Sequence, residues 1–342
     1  MESKLELVKW IDLSSKQRKA VDEFIMKGTT NGEFINSPKY LSYHQEGRFK
    51  DDSVVILDIS SKTIRAVLMA AHKYDNENVI ISHPGTTFAG PVIDRKLRIE
   101  MIEEVLDMML SYYESKYEKI ELKLSPTYYS FQSCNVIDYF LLKRGYTFGM
   151  TGLANIVNIS DIDTEEDILN LFSSKRRNQV RKVIKEDYFE FKEEELIKLS
   201  VWDNMNKNLS VKFSSKTTHT WDEICDLKSK YKDNIRLFYV NTKDGLYGAF
   251  GLIYMFKNVF HTQYLDLNYD YSGKYPNLFL IMKLIKKARE SGYDYFSFGA
   301  STEDGGKILN YGLYNYKAEY GGGDIILPLY TKMISNNVMK KK

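Results

Sequence analysis

Cysteine is nearly absent from this sequence. Two residues, Cys134 and Cys225, in a chain of 342 are too few for a disulfide framework or a zinc site. The five histidines, His44, His72, His83, His219 and His261, show neither HxxxH nor HExxH spacing, so no protein-held metal is expected. Proline and glycine are sparse, at 6 and 20 residues, which argues against disorder and against a fibrous repeat. No window approaches the roughly 18 apolar residues of a membrane span. The opening MESKLELVKWIDLSSKQRKA holds no apolar run of signal-peptide length. The expectation is a protein of a reducing cytoplasm. An excess of one charge sign is missing too. Lys+Arg number 48 against 46 Asp+Glu, a formal +2, which weakens a general nucleic-acid-binding reading.

What is present points to folded domains. The chain is 43% hydrophobic and 14% aromatic, enough to bury sizeable cores, and its length favours two domains. In the first half SVVILDIS, TIRAVLMAAHKY and VIISHPG read as three meandering strands. The loop TTFAGPVID follows. Then comes a helix with Leu97, Met101, Val105 and Met108 on one face. KIELKLSP alternates as a strand, with Ile120, Leu122 and Leu124 facing one way. SCNVIDYFLLKRGY is a short helix ending near Gly145, and TGLANIVNI another strand.

The second half repeats that order. NIRLFYVNT, LYGAFGLIYMFK and FHTQYLDL are three strands, and NYDYSGKYP is the loop. The next helix has Pro276 at its first position and Gly292 at its end. DYFSFGAS is a strand, GKILNYGLYNY a short helix, and AEYGGGDIILPL closes as a strand. The halves align at a near-constant offset (Ser53 with Ile235, Val92 with Pro276, Ile120 with Asp294), as duplication would produce. The predicted boundaries are 1–160 and 161–325. Residues 326–342 are expected to pack back on the first domain, with the terminal MKKK solvated and in weak contact with a membrane surface. Between 187 and 233 the sequence reads as largely helical.

One stretch breaks the even charge. SSKRRNQVRKVIKE, residues 173–186, carries Lys175, Arg176, Arg177, Arg181, Lys182 and Lys185. It continues a helical segment opened by Thr164 and Asp167 as a capping box. Arg177 and Arg181 are spaced i,i+4 and share a face, with Val180 and Ile184 as the side expected to be buried. Guanidinium groups bind phosphate bidentately, so Arg177, Arg181 and Lys182 are candidate phosphate ligands. A solvated amphipathic helix is the competing reading.

The layout resembles a tandem GNAT acyltransferase fold, and more closely the FemA/FemB/FemX family. Four stretches carry the resemblance: the basic helix; HTQYLDLNYDYSGKYPNLFLIMKLIKKARESGYDYFSFGAST; LYNYKAEYGG, like the family's FKxxFG element; and FINSPKYLSYHQ near the start. The resemblance implies an α/β (α+β) fold of two GNAT-like domains, each a mixed, largely antiparallel sheet flanked by helices. It also implies transfer of an aminoacyl or acyl group onto an amine of a cell-envelope glycan or peptidoglycan-type precursor, since the family moves amino acids from aminoacyl-tRNA onto such precursors. The expected partners are a phosphate-bearing sugar or lipid-linked precursor and a tRNA acceptor stem. No stable protein partner is implied. Work at the inner face of the membrane follows for a cytoplasmic protein of this kind.

The family's DFGG appears as Ser297-Phe298-Gly299-Ala300, and near residue 40 only Lys39 and Tyr40 stand where relatives hold a nucleotide. Neither TTFAGPVID nor YDYSGKYPN carries the Q/R-x-x-G-x-G/A loop that seats coenzyme A pyrophosphate in standard GNAT enzymes. No tightly bound cofactor is therefore expected. The donor is aminoacyl-tRNA or acyl-CoA, with an acyl-CoA N-acyltransferase on an amino-sugar nucleotide as one alternative and a non-catalytic glycan-precursor or RNA-binding fold as another. Lys317 is the first catalytic candidate, by its place in the FK pair, as the cation that stabilises a developing oxyanion. Tyr316 is expected beside it, stacked on the ammonium. Asp266 is a candidate base or amine-orienting group, with Tyr264 on the same strand and Asn277 heading the helix after it. His261 reads as a packed strand histidine.

Overall fold

The computed structural model describes residues 4–132 and 134–335; the terminal MKKK lies outside them. The chain divides into two units. One holds the residues up to Gly152 together with those from Ile326, and the other holds Leu153–Ile325.

The first unit opens with β1 (Leu5–Lys9), α1 (Ser15–Glu23) and α2 (Pro38–Leu41). Its meander is β2 (Val54–Asp58), β3 (Thr63–Leu68), β4 (Ala71–Lys73) and β5 (Asn76–Ile81), followed by the short β6 (Val92–Ile93). Then come α3 (Ile99–Glu114), β7 (Lys119–Lys123), α4 (Val136–Lys143) and β8 (Thr147–Asn158), within which the unit boundary falls. Strands β1, β2, β3 and β6 form one antiparallel sheet. In the other, β4 pairs with β5, and β5 runs parallel to β7.

TIRAVLMAAHKY is therefore two strands rather than one. The break falls at Met69 and Ala70, where Ser53 Oγ donates to the Ala70 carbonyl (3.2 Å) and accepts from its N–H (3.0 Å). The Ala70 carbonyl also accepts from the Asp52 N–H (3.0 Å), so the Ser53 hydroxyl is inserted into the pairing where the chain passes from β3 to β4. Hydrophobicity runs unbroken through the switch and hides it. The α3 stripe also lies further round than expected. Val105, Leu106, Met109, Leu110 and Tyr113 are its buried residues, in one core with Ile120 and Leu122 of β7 and Leu124 just after it.

The second unit begins with α5 (Glu165–Leu171) and α6 (Ser174–Glu186). The capping box at α5 is formed: Thr164 Oγ1 accepts from the Asp167 N–H (3.1 Å), and Asp167 Oδ2 from the Thr164 N–H (2.8 Å). Next are β9 (Phe189–Glu194), α7 (Leu199–Phe213) and α8 (Trp221–Lys230). The stretch expected to be largely helical thus begins with a strand, whose alternate Phe189 and Phe191 join the core and which pairs antiparallel with β10. Strands β10 (Ile235–Thr242), β11 (Tyr247–Met255) and β12 (Val259–Leu267) form the meander, and α9 (Pro276–Glu290) crosses to β13 (Tyr295–Ala300). A hairpin of β14 (Thr302–Glu303) and β15 (Ile308–Leu309) leads to α10 (Tyr311–Ala318), and β16 (Gly323–Met333) returns the chain to the first unit.

Helix α9 is buried on nearly every side because it packs both on β10 and β11 and against α5 and α6. Each fully buried Leu or Ile there contributes about 1.5–3 kcal/mol. Among the described residues, no helix is long and apolar enough to cross a membrane.

Candidate active site

The site forms in the second unit, where two parallel strands part. β12 and β13 pair only at Val259–Tyr295, Phe260–Phe296 and His261–Ser297. Thr262 Oγ1 donates to the Ser297 carbonyl (3.2 Å) and closes the last rung. Beyond it β13 stays paired with β8, and its register shifts between Ser297 and Gly299. Gly299 lies at φ +73°, a left-handed value that glycine adopts without penalty. The bulge leaves the carbonyls of Gly299 and Ala300 for another partner, and Lys317 Nζ donates to both, at 3.1 and 2.6 Å.

Lys317 comes from the last turn of α10 and is buried, with 8% of its surface exposed. Among the described residues it makes no ion pair; carbonyl dipoles alone face its charge. Burial pulls its pKa down to about 8. His261 stands beside this position, its Nδ1 3.1 Å from Ser297 Oγ. Burial first, then the Lys317 charge, pushes His261 down to about 3, so the imidazole is neutral next to the ammonium. Ala300 is exposed, and there the lysine's surroundings open to solvent. A buried cation held by neutral dipoles at such an opening suits a developing negative charge.

The other predicted residues fall into groups. Tyr264 and Asp266 share the face of β12 that meets α7. Phe260 and Leu265 face the α9 core, and a bulge at Gln263 puts His261 on the α7 face as well. A second bulge, at Gly248 of β11, sets Tyr247 against the same helix. Asp266 accepts from Asn204 Nδ2 (2.8 Å), Asn208 Nδ2 (2.9 Å) and Tyr247 Oη (2.6 Å). Burial and that carboxylate raise the Tyr247 pKa. Tyr264 packs edge-on against Trp202, with ring centroids 5.3 Å apart, and its Oη lies 2.7 Å from His219 Nδ1.

Tyr316 does not stack on Lys317. Its ring carries Arg176, whose guanidinium lies 5.4 Å from the centroid, and its hydroxyl accepts from Asn277 Nδ2 at 3.1 Å. Arg176 also pairs with Glu319 (2.7 Å), and the Ser173 N–H donates to the Glu319 carbonyl (2.8 Å). The start of α6 is thereby docked on α10.

Arg177 points elsewhere. Its guanidinium donates to the carbonyls of Leu169 (3.0 Å), Asn170 (3.4 Å) and Phe172 (3.3 Å), which close the C-terminus of α5. We expect Arg177→Ala to lower the melting temperature, by about 2–4 °C per kcal/mol lost, with little change in ligand affinity; calorimetry beside a binding titration checks both. Arg181 pairs with Glu166, and Lys182 lies 3.7 Å from Glu186, both at exposed positions. The buried side of α6 is Val180 and Val183, with Ile184 39% exposed. Lys39 lies in the first unit, on α2, where its backbone N–H donates to Asp22 Oδ1 (3.0 Å).

Sequence reasoning missed Arg176, Trp202, Asn204, Asn208, His219 and Tyr247. The i,i+4 pair Asn204 and Asn208, two amides on one face of α7, was an available signal. Nothing local marked the others. Among the described residues no group of His, Cys, Asp or Glu is arranged to hold a metal ion.

No family model and no curated protein matches the sequence. In three dimensions the chain is similar to the crystal structure of FemX, with a TM-score of 0.68 at 12% identity, over 97% of this chain and 98% of that one. The C-terminal domain of an Agrobacterium fabrum protein assigned as a lysylphosphatidylglycerol synthetase gives 0.58 at 12% identity, over 95% of this chain and 94% of that one. A conserved Bacteroides thetaiotaomicron protein of unknown function gives 0.57 at 13% identity, over 98% and 100%. The chain has the fold of FemX.

Proposed function

We propose that the chain is a transferase that moves an aminoacyl or acyl group onto an amine of a cell-envelope glycan or peptidoglycan-type precursor. The observation that carries this reading is the Lys317 ammonium, buried at the opening between β12 and β13 and answered, among the described residues, by the carbonyls of Gly299 and Ala300. The fold supports it. So does the name of one structural neighbour, which describes synthesis of an aminoacylated lipid.

In this reading a neutral amine attacks the carbonyl carbon of the donor ester or thioester. The carbonyl oxygen gains negative charge, and Lys317 donates to it. Collapse breaks the bond to the leaving oxygen or sulfur. The amine loses a proton, the leaving atom gains one, and no covalent enzyme intermediate forms. Asp266 and Tyr264 fix the β12–α7 wall, Tyr316 and Asn277 hold α10, and Arg176 ties α6 to it. Arg181 and Lys182 remain available to substrate phosphates, since the two ion pairs of α6 are surface ones worth about 0–1 kcal/mol, and Lys39 stays a candidate phosphate ligand of the first unit. The donor is aminoacyl-tRNA, the two chain halves are GNAT-like repeats, and the basic tail gives a peripheral membrane contact.

The test is transfer of a labelled amino acid from aminoacyl-tRNA to a UDP-linked muramyl peptide by the purified chain. Absence of transfer across a panel of charged tRNAs and amino-sugar acceptors overturns the reading. A melting-temperature shift separates the donors, because a ligand at 100 times its Kd stabilises by about 2.7 kcal/mol. We expect a shift with the UDP-linked acceptor and none with acetyl-CoA; the reverse result makes the protein an acyl-CoA enzyme.

A further inference from the structure

The first unit also contains a parallel strand pair that parts. β5 and β7 pair at Val79–Lys119, Ile80–Ile120 and Ile81–Glu121, as Val259–Tyr295 and its successors do in the second unit. Counting along, Lys123 takes the strand position that Gly299 holds there. Both places carry an ammonium, delivered from β7 itself in one unit and from α10 in the other.

The loop after β5 is stitched to β7. Ser82 N–H donates to the Glu121 carbonyl (2.8 Å), Lys123 N–H to Ser82 Oγ (2.7 Å), and Ala89 N–H to the Lys123 carbonyl (2.7 Å). Inside it, Thr86 turns back on the His83 carbonyl through its N–H (3.4 Å) and Oγ1 (3.2 Å). Lys123 Nζ donates to the Thr86 carbonyl. That is its one hydrogen bond among the described residues, and it makes no ion pair there. Glu121, two residues back, pairs instead with Lys119 (2.6 Å) and Lys73 (3.7 Å).

His83 is buried, at 7% exposure, and its backbone sits at φ +24°, a sparsely populated region that costs about 1–3 kcal/mol. Its Nδ1 accepts from the Gly85 N–H (3.2 Å). The ring proton is therefore on Nε2, and among the described residues that N–H meets no acceptor. Burial, with the charges of His44 and Lys123, keeps the ring neutral, with a pKa near about 3. His44 stacks on His83 with centroids 6.0 Å apart and planes 16° apart, its Nε2 3.3 Å from the Gly85 carbonyl. A Cβ at residue 85 would lie 2.1 Å from that nitrogen, so only glycine fits under the imidazole.

A cation removed from water without a counter-ion is costly, and an ammonium beside a neutral N–H donor is a pattern that recognises an oxyanion. We propose that the loop of residues 82–89 is an anion site, in which Lys123 Nζ and His83 Nε2–H hold one phosphate or carboxylate group of a small ligand. The inference does not depend on the transfer reading, since it concerns binding in the first unit.

The test is a calorimetric titration of the full chain at constant ionic strength, with inorganic pyrophosphate in one arm and acetate in the other. Saturable one-to-one binding in either arm is expected, and the arm that binds names the anion. Lys123→Met should weaken it by at least ~10-fold, without a fall in melting temperature, because a half-buried charge that makes no ion pair among the described residues is removed. His83→Asn, which tolerates the left-handed backbone, should weaken it several-fold. Should Lys123→Met fail to fold, the His83 Nε2 resonance of the unaltered protein gives the answer by shifting with pyrophosphate or acetate. No saturable binding at millimolar anion, unchanged binding in folded Lys123→Met, or a static Nε2 resonance overturns the proposal.

Discussion

Lys317→Met is expected to slow transfer by about 10²–10³-fold, the usual loss when one oxyanion donor is removed, while the protein melts no lower than before. The two effects share one cause. The ammonium is buried at the opening of β13 beside carbonyl dipoles and a neutral imidazole, with no ion pair among the described residues, so its charge is unfavourable in the free protein and useful when an anion develops. Methionine keeps the stem, and water reaches the carbonyls through the exposed Ala300. pH supplies a second check. The folded pKa of about 8 lies below the ordinary 10.5, so between these values the unfolded chain holds a proton that the folded chain has lost. Stability from this group therefore rises with pH across that window, and the melting-temperature advantage of Lys317→Met should shrink there. Transfer needs the protonated form, so kcat/KM of the unaltered enzyme should fall above about pH 8. Full activity in Lys317→Met, or a flat profile to pH 9.5, removes the lysine from the mechanism.

Asp266→Ala is expected to cost about 2–5 kcal/mol, because it takes the acceptor from the Asn204 amide and the Tyr247 hydroxyl and leaves the Asn208 amide only the Leu267 carbonyl. At about 2–4 °C per kcal/mol the loss is plain in calorimetry. Asp266→Asn keeps an acceptor oxygen and should recover much of it, with transfer within about tenfold of normal. A base at this position would behave otherwise: Asp266→Asn would then melt normally and lose transfer almost completely. The carboxylate's three donors are why we expect the first pattern.

Much of the architecture was legible because it rests on local signals. Pro276 and Gly292 bracket α9, Thr164 and Asp167 cap α5, and period-two alternation marks β7. What stayed hidden depends on partners far along the chain. The break at Met69 and Ala70 lies where Ser53 Oγ and the Asp52 N–H meet Ala70, partners that only the fold delivers. The bulges at Gly248 and Gln263 reassign faces that alternation alone assigns wrongly. β9 was overlooked because short amphipathic stretches suit a helix as well as an edge strand. In the candidate site, Lys317 was found through its motif, yet its bonds to Gly299 and Ala300 and its neutral neighbour His261 were not foreseeable. The arginines misled most. A guanidinium on a helix reads as a ligand for something outside, and here Arg177 closes α5 and Arg176 anchors α6 to α10.

That anchoring bears on how the protein would hold RNA. Four of the six cations of α6 already have partners within their own unit: Arg176, Arg177, Arg181 and Lys182. Arg176 and Arg177, bonded into their own unit, displace no condensed ion from a polynucleotide, whereas the weak surface pairs of Arg181 and Lys182 can open. Any tRNA bound at this helix would therefore release fewer counterions than six cations suggest, and its affinity would decline less steeply as salt is raised. Such a grip would depend on shape more than on charge.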